Sequence, residues 1–482
     1  MLKKTAAVIG LVIVAGSGVP AVRGADEPRG IVASIEARKD QYASVAKQIW
    51  DYAELGFQEE RSSALLQKTL ADAGFAVERG VAGMPTAFTA SYGSGKPVIV
   101  LIGEFDALPG LSQEAGNPAR VTPKAGGPGH GCGHNLLGTA SAAAAIAVKE
   151  WMLRAHQPGT VRYYGTPAEE GGGGKIYMVN AGLLKDVDVV VGWHPGDQNQ
   201  ANPASSLATV AANFKFYGAA AHAAASPDRG RSALDGVEAM DYMVNMMREH
   251  VPQETRIHYI IKKGGVAANI VPDYAEAEYM ARHPDMRVLQ GIWDRILKAA
   301  EGAAMGTGTR VEHEVVSSYW NVLPNETLAA VQHRNLTAVG GVTYTADEQA
   351  FADAIRKTLI SPPTPPGAEA VVQPMKPGLV GSASTDMGDI SWNVPTVQMG
   401  AATFAPGVPA HSWQAVACAG MSIGVKGMIV AAKTMALTVS DLMTDPSLVA
   451  KAKAEYLRRR GDGYTYVTLA PARPPFEYRK GS

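Results

Sequence analysis

Five consecutive apolar residues, Val98-Ile99-Val100-Leu101-Ile102, constrain the fold of this chain more than any other feature. A strand with one wet face alternates apolar and polar residues. A short unbroken apolar run fits a strand enclosed on both faces. Such a strand needs helices above and below it, which points to an α/β architecture with a largely parallel sheet flanked by helices. The flanking sequence agrees. Ile35 to Ala53 and Ser62 to Ala73 have helical period, the second ended by Gly74. Leu136 to Lys149 reads as a further helix, and Val161 to Tyr164 and Val187 to Val191 as further strands.

From about residue 207 the pattern changes. Ala208 to Gly218 reads as a strand, Ser232 to His250 as a helix, Thr255 to Lys263 and Tyr274 to Arg282 as two half-buried strands, Met286 to Ala304 as a helix and Arg310 to Ser318 as a strand. The order βαββαβ is the ferredoxin-like split pattern, here an inserted α+β domain. Alternating elements resume with Glu326 to Val339, Asp347 to Leu359, Thr396 to Met399 and Ala417 to Met443. At 482 residues the chain is long for one core, and the expected division is 1–24, 25–205, 206–320 and 321–482. Ser361 to Pro366 reads as a loop, and the Pro-containing tail after Gly461 as weakly structured.

The first 24 residues read as a signal peptide. Lys3 and Lys4 precede an apolar run, Ala6 to Ala15, and small residues lead to a cleavage position near Gly24. The run is shorter than the roughly 20 residues that span a bilayer, which disfavours the alternative of an uncleaved anchor. A periplasmic or secreted protein is expected. The formal net charge of −1 and the lack of a long basic run argue against nucleic acid or an anionic membrane as partner. Two cysteines, Cys132 and Cys418, write no disulfide framework; a single bridge between them is the alternative to metal ligation by Cys132.

The chemistry gathers at strand ends, where open α/β sheets bind ligands. Val98–Ile102 runs into Gly103-Glu104-Phe105-Asp106, Val161–Tyr164 into Gly165-Thr166-Pro167-Ala168-Glu169-Glu170, and Val187–Val191 into Gly192-Trp193-His194-Pro195; Thr396–Met399 leads by a loop to His411. Between them lies His130-Gly131-Cys132-Gly133-His134, in which glycines let the backbone turn tightly and the following helix start favours a thiolate. Cys, His and carboxylate ligands suit zinc first, with manganese or cobalt as alternatives. Adjacent Glu169 and Glu170 point in different directions, so one can ligate while the other faces a water whose pKa the metal lowers. The alternative is an acidic helix start. Gly171 to Gly174 lacks the Gly-Lys-Ser/Thr ending of a phosphate cradle and reads as a close packing point for the next helix.

Gly103-Glu104-Phe105-Asp106-Ala107-Leu108-Pro109, His130-Gly131-Cys132-Gly133-His134, Thr166-Pro167-Ala168-Glu169-Glu170-Gly171-Gly172 and Ser384-Thr385-Asp386-Met387-Gly388-Asp389 together resemble the dinuclear amidohydrolases of peptidase family M-20. The resemblance is strongest to the branch holding the p-aminobenzoyl-glutamate hydrolase B subunit and the N-acyl-amino-acid amidohydrolases, and covers nearly the whole mature chain. It implies two divalent metal ions. Cys132 would bridge them, Glu170 and His411 would complete one site, and His134 and His194 the other. Glu169 would be the general base, and Asp106 would orient a ligand. Many relatives carry a histidine ligand where Glu104 stands, so the role of Glu104 and the sharing of ligands between the metals stay open. The inserted domain would be a lid and dimerisation domain. Its His222 would reach the partner's site and steady the oxyanion, and Asn269 and Arg282 would hold the substrate's carbonyl and carboxylate. The implied substrate is an N-acyl or N-aroyl amino acid or a dipeptide, and the implied state a homodimer.

Each residue also has a plainer reading. His130 fits a turn or supporting role better than ligation. His194 could be a satisfied core histidine, Asn269 a turn residue and Arg282 a strand-edge charge. Two rival functions remain: an amidase using Cys132 as nucleophile, and a non-catalytic binding protein on the same scaffold.

Overall fold

A computed structural model describes residues 26–479. Residues 1–24, read above as an export signal, lie outside the described residues. In chain order the strands are β1 (Ala76–Arg79), β2 (Phe88–Ser94), β3 (Val98–Gly103), β4 (Gly159–Gly165), β5 (Val189–Gly196), β6 (Ala208–Tyr217), β7 (Arg256–Lys263), β8 (Tyr274–His283), β9 (Arg310–Tyr319) and β10 (Thr396–Ala402). They form a six-stranded sheet ordered β1-β2-β4-β3-β5-β10 and a four-stranded sheet ordered β7-β8-β6-β9.

Strands β4, β3, β5 and β10 are mutually parallel, while β1 and β2 add an antiparallel edge. All of β3 is buried, as its unbroken apolar run requires. Its residues alternate between two cores. Ile99 and Leu101 join the cluster under helices 134–155 and 422–444, whereas Val98, Val100 and Ile102 join one with Tyr177, Met178 and Ile390. Both long helices are apolar enough to cross a bilayer by composition, but here they pack on each other and on the sheet as core.

The second sheet is antiparallel throughout. Val210, Ala212, Phe214 and Phe216 of β6 meet helices 233–247 and 286–307 on one face. Thr209 and its register partners Arg282 and Tyr319 lie on the other.

Several elements differ from the sequence reading. The helix expected over Ile35 to Ala53 is two helices, Asp26–Ala37 and Lys39–Tyr52. That over Ala417 to Met443 is also two, Trp413–Ala419 and Ser422–Thr444. The second break falls at Gly420, where a Cβ would come within 2.6 Å of the Trp50 ring, a contact distant in sequence. Strands β1 and β2 escape pattern reading because β1 is a short exposed edge and β2 mixes small and aromatic residues. The tail after Gly461 is not weakly structured. Its described residues carry no helix or strand, yet Tyr464 and Tyr466 pack on Trp320, and the Tyr466 hydroxyl donates to Asp389 Oδ1 at 2.7 Å. Aromatic anchoring outweighs the prolines there.

Candidate metal centre and active site

Gly133 (φ +75°) lets the chain turn sharply into helix 134–155, and a Cβ on it would lie 2.8 Å from Pro195. This close approach lays Cys132 and His134 against β5, whose register extends through His194. Cys132 and Cys418 are both free thiols, so no bridge competes for Cys132. One ligand atom each from Cys132, His134 and His194 lie within 4.8 Å of one another, and so do those of Cys132, Glu170 and His411. Cys132 Sγ is 3.4 Å from His194 Nε2, and His411 Nε2 is 3.2 Å from Glu170 Oε1. The two groups share only the thiol. His130 belongs to neither. Its Nε2 lies 3.0 Å from the Ile49 carbonyl, and burial pushes its pKa down to about 4, so it serves as a neutral brace.

The Glu169–Glu170 turn is held tightly. Ala168 adopts a left-handed conformation (φ +56°), uncommon without glycine, and its N–H donates to Glu59 Oε1 at 2.8 Å. The Glu170 N–H donates to Asp106 Oδ2 at 2.9 Å, while Asp106 Oδ1 pairs with His134 Nδ1 at 2.8 Å. Asp106 therefore orients His134 and presents its Nε2 to the cluster. His411 is itself left-handed (φ +59°), and its N–H donates to the Gly131 carbonyl at 2.8 Å. Two strained residues thus flank one cleft.

Burial first, then Glu104 and Glu170, raises the Glu169 carboxyl well above the usual range. Burial and Glu170 likewise raise the Cys132 thiol, so the helix start does not make it a free thiolate. A buried neutral thiol is a poor nucleophile. A bound cation would reverse this, since ligation deprotonates a thiol outright.

The sequence reading missed a buried charge network. Lys175, wholly buried, places Nζ 2.8 Å from Glu104 Oε1 and 2.6 Å from Asp386 Oδ1. Burial opposes its charge, but Asp386 and Glu104 outweigh it. Only the motif around Asp386 and a lysine closing a glycine run hinted at this. Lys175→Met should cost about 3–5 kcal/mol, because two carboxylates would lose their counter-charge. Denaturant unfolding of the variant measures this, and a change below about 0.5 kcal/mol would remove the network from the account of stability.

The residues fit divalent cations. Glu104 Oε2 faces His134 Nε2 at 3.2 Å and Glu170 Oε1 faces His411 Nε2 at 3.2 Å, yet among the described residues none of the three buried atoms, Glu104 Oε2, His134 Nε2 and Glu170 Oε1, makes a hydrogen bond, and Glu104, His134 and Glu169 form a third group of close ligand atoms. Buried polar atoms rarely stay unmet unless an ion or ligand is their partner. A thiol, three imidazoles and a carboxylate in two groups form a donor set suited to zinc.

A family model described as Peptidase family M20/M25/M40 matches residues 100–435. The chain belongs to that family. It is accordingly a metallo-amidohydrolase or metallopeptidase. It is 43% identical to the B subunit of p-aminobenzoyl-glutamate hydrolase from Escherichia coli (strain K12), over 88% of this chain and 93% of that protein. It is 30% identical to the Xaa-Arg dipeptidase of Mus musculus, over 88% of this chain and 90% of that protein. The fold matches the YXEP protein of Bacillus subtilis, a dinuclear metal binding peptidase from the M20 family, with TM-score 0.59 and 17% identity over 85% of this chain and 99% of that one.

His222 is in none of the ligand groups, and Arg282 lies near the opposite end of β8 from His222 and Asn269. His222 and Ile270 form a bridge, and the Ala223 N–H donates to the Asn269 carbonyl, so His222 and Asn269 share one tip. Both are exposed there. His222 Nδ1 accepts the N–H groups of Ala224 and Ala225, which leaves the ring proton on Nε2. Arg282 sits near the other end of β8, about 26 Å along the strand from Tyr274 at 3.3 Å per residue. Its face carries Tyr319 two strands over, and Tyr319 abuts Gly173 beside the metal loop.

Proposed function

We propose that the chain hydrolyses the amide bond between an acyl or aroyl group and an amino acid, using two divalent cations, zinc first. Cys132, His134 and His194 would hold one, and Cys132, Glu170 and His411 the other. The observation that carries this reading is the pair of ligand groups meeting at one buried thiol, with Glu169 beside them. Such cations acidify a water and polarise a carbonyl. Glu169 takes the water's proton and later gives it to the leaving nitrogen; its burial and acidic neighbours make it a ready proton acceptor once cations are near. Arg282, at the cleft end of the inserted sheet, receives the amino acid's carboxylate through its flat donor fork.

His222 and Asn269 cannot reach the same small substrate as Arg282 of their own chain, given the length of β8. A partner copy would bring them. Exposed β7 residues Ile260 and Ile261, with Tyr242 and Met246 on helix 233–247, offer an apolar surface for such a homodimer. His222 Nε2 would then donate to the oxyanion. The names of the relatives favour p-aminobenzoyl-glutamate and dipeptides as first substrates to try. A screen of aroyl-, acyl- and aminoacyl-amino acids on zinc- or manganese-loaded protein, read by release of free amine, tests the proposal. Turnover lost to a chelator and restored by metal is expected; inertness toward every amide tried would support the binding-protein alternative.

A further inference from the structure

We infer that the C-terminal strap positions the metal-binding turn, with Tyr478 as its positioning residue. This rests on the two-cation reading of the site. The strap leaves helix 446–460 and crosses the junction of the two sheets, where Trp320 Nε1 donates to the Val467 carbonyl at 2.9 Å. The Tyr177 hydroxyl then donates to the Arg473 carbonyl at 3.3 Å. Phe476 and Tyr478 stand edge-on to the Phe57 ring, at centroid distances of 5.3 and 5.9 Å. There the Tyr478 hydroxyl donates to the Glu170 carbonyl at 3.2 Å.

The fit is shaped for a phenol. A Cβ on Gly56 would collide with the Tyr478 oxygen and come within 2.9 Å of Ala168 Cβ, so Gly56 leaves the space between strap and turn that the hydroxyl fills. Asp106 holds the N–H of Glu170 and Tyr478 holds its carbonyl, so both main-chain polar groups of this ligand are fixed. Asp106 also holds His134, whereas the Tyr478 hydroxyl bonds to the Glu170 main chain and not to Cys132, His134 or His194. Its influence should therefore fall on one cation alone.

The test is Tyr478→Phe in the full chain, which keeps the ring and removes the donor. Zinc affinity of each site is measured by competition with a chromophoric chelator, alongside Tm of the metal-free protein. One of the two zinc ions should bind about 5- to 10-fold more weakly, with the other unchanged and Tm lowered by no more than about 2–4 °C. Tyr478→Ala should weaken the same ion further. Two zinc ions bound as in the parent chain would overturn the inference, as would equal weakening of both with a larger fall in Tm, the mark of a merely structural role. A parent chain that binds fewer than two zinc ions would overturn the paired-cation reading itself, and the strap's role with it.

Discussion

Glu169→Gln should lower kcat by about 10²–10⁴-fold while both cations stay bound. Glutamine fills the same space but cannot accept the water's proton. Glu169 lies outside both groups that meet at Cys132, so its loss leaves each with its thiol, imidazole and remaining ligands. With Glu104 and His134 it forms a third group of close ligand atoms, but those two have further partners in Lys175 and Asp106. Metal content by elemental analysis and turnover by amine release separate the two effects. Near-normal turnover in a variant holding both metals would end the general-base assignment. Loss of a metal would instead move Glu169 among the ligands.

Cys132→Ala should have the broader effect: both cations lost or greatly weakened, and activity with them. The thiol is the only side chain common to the two groups, so its removal takes one donor from each and joins the two remaining sets at nothing. His194→Ala and His411→Ala should each weaken one ion and spare the other. The pattern across these variants also decides between metal chemistry and a cysteine nucleophile. A nucleophile predicts that Cys132→Ala abolishes turnover with full metal content, and that alkylation blocks the enzyme without releasing metal. Burial and Glu170 push the thiol's pKa up against the opposing pull of His134, contrary to what a nucleophile needs.

Much of this was legible in the sequence because it is local. The β3 run marks a doubly covered strand, and the ligands lie on short motifs at strand ends. The unread parts depend on contacts across long stretches of chain. Lys175 makes sense only beside Asp386 and Glu104, two segments that composition does not connect. Glu59, raised to about 8 by burial and Asp106, supports Ala168 from a helix start that carries no motif. The strap escapes sequence reading because prolines usually mark loose chain, whereas Tyr464, Tyr466, Phe476 and Tyr478 supply buried ring contacts. Helix breaks at Arg38 and Gly420 are hidden by apolar periodicity that continues across them.

An anomalous difference map from zinc-loaded crystals tests the central claim most directly. Two peaks are expected, each within about 2.3 Å of the Cys132 sulfur, one beside His134 and His194 and the other beside Glu170 and His411. A single peak, or a sulfur turned away from both, would contradict the shared-thiol centre on which the proposed hydrolysis depends.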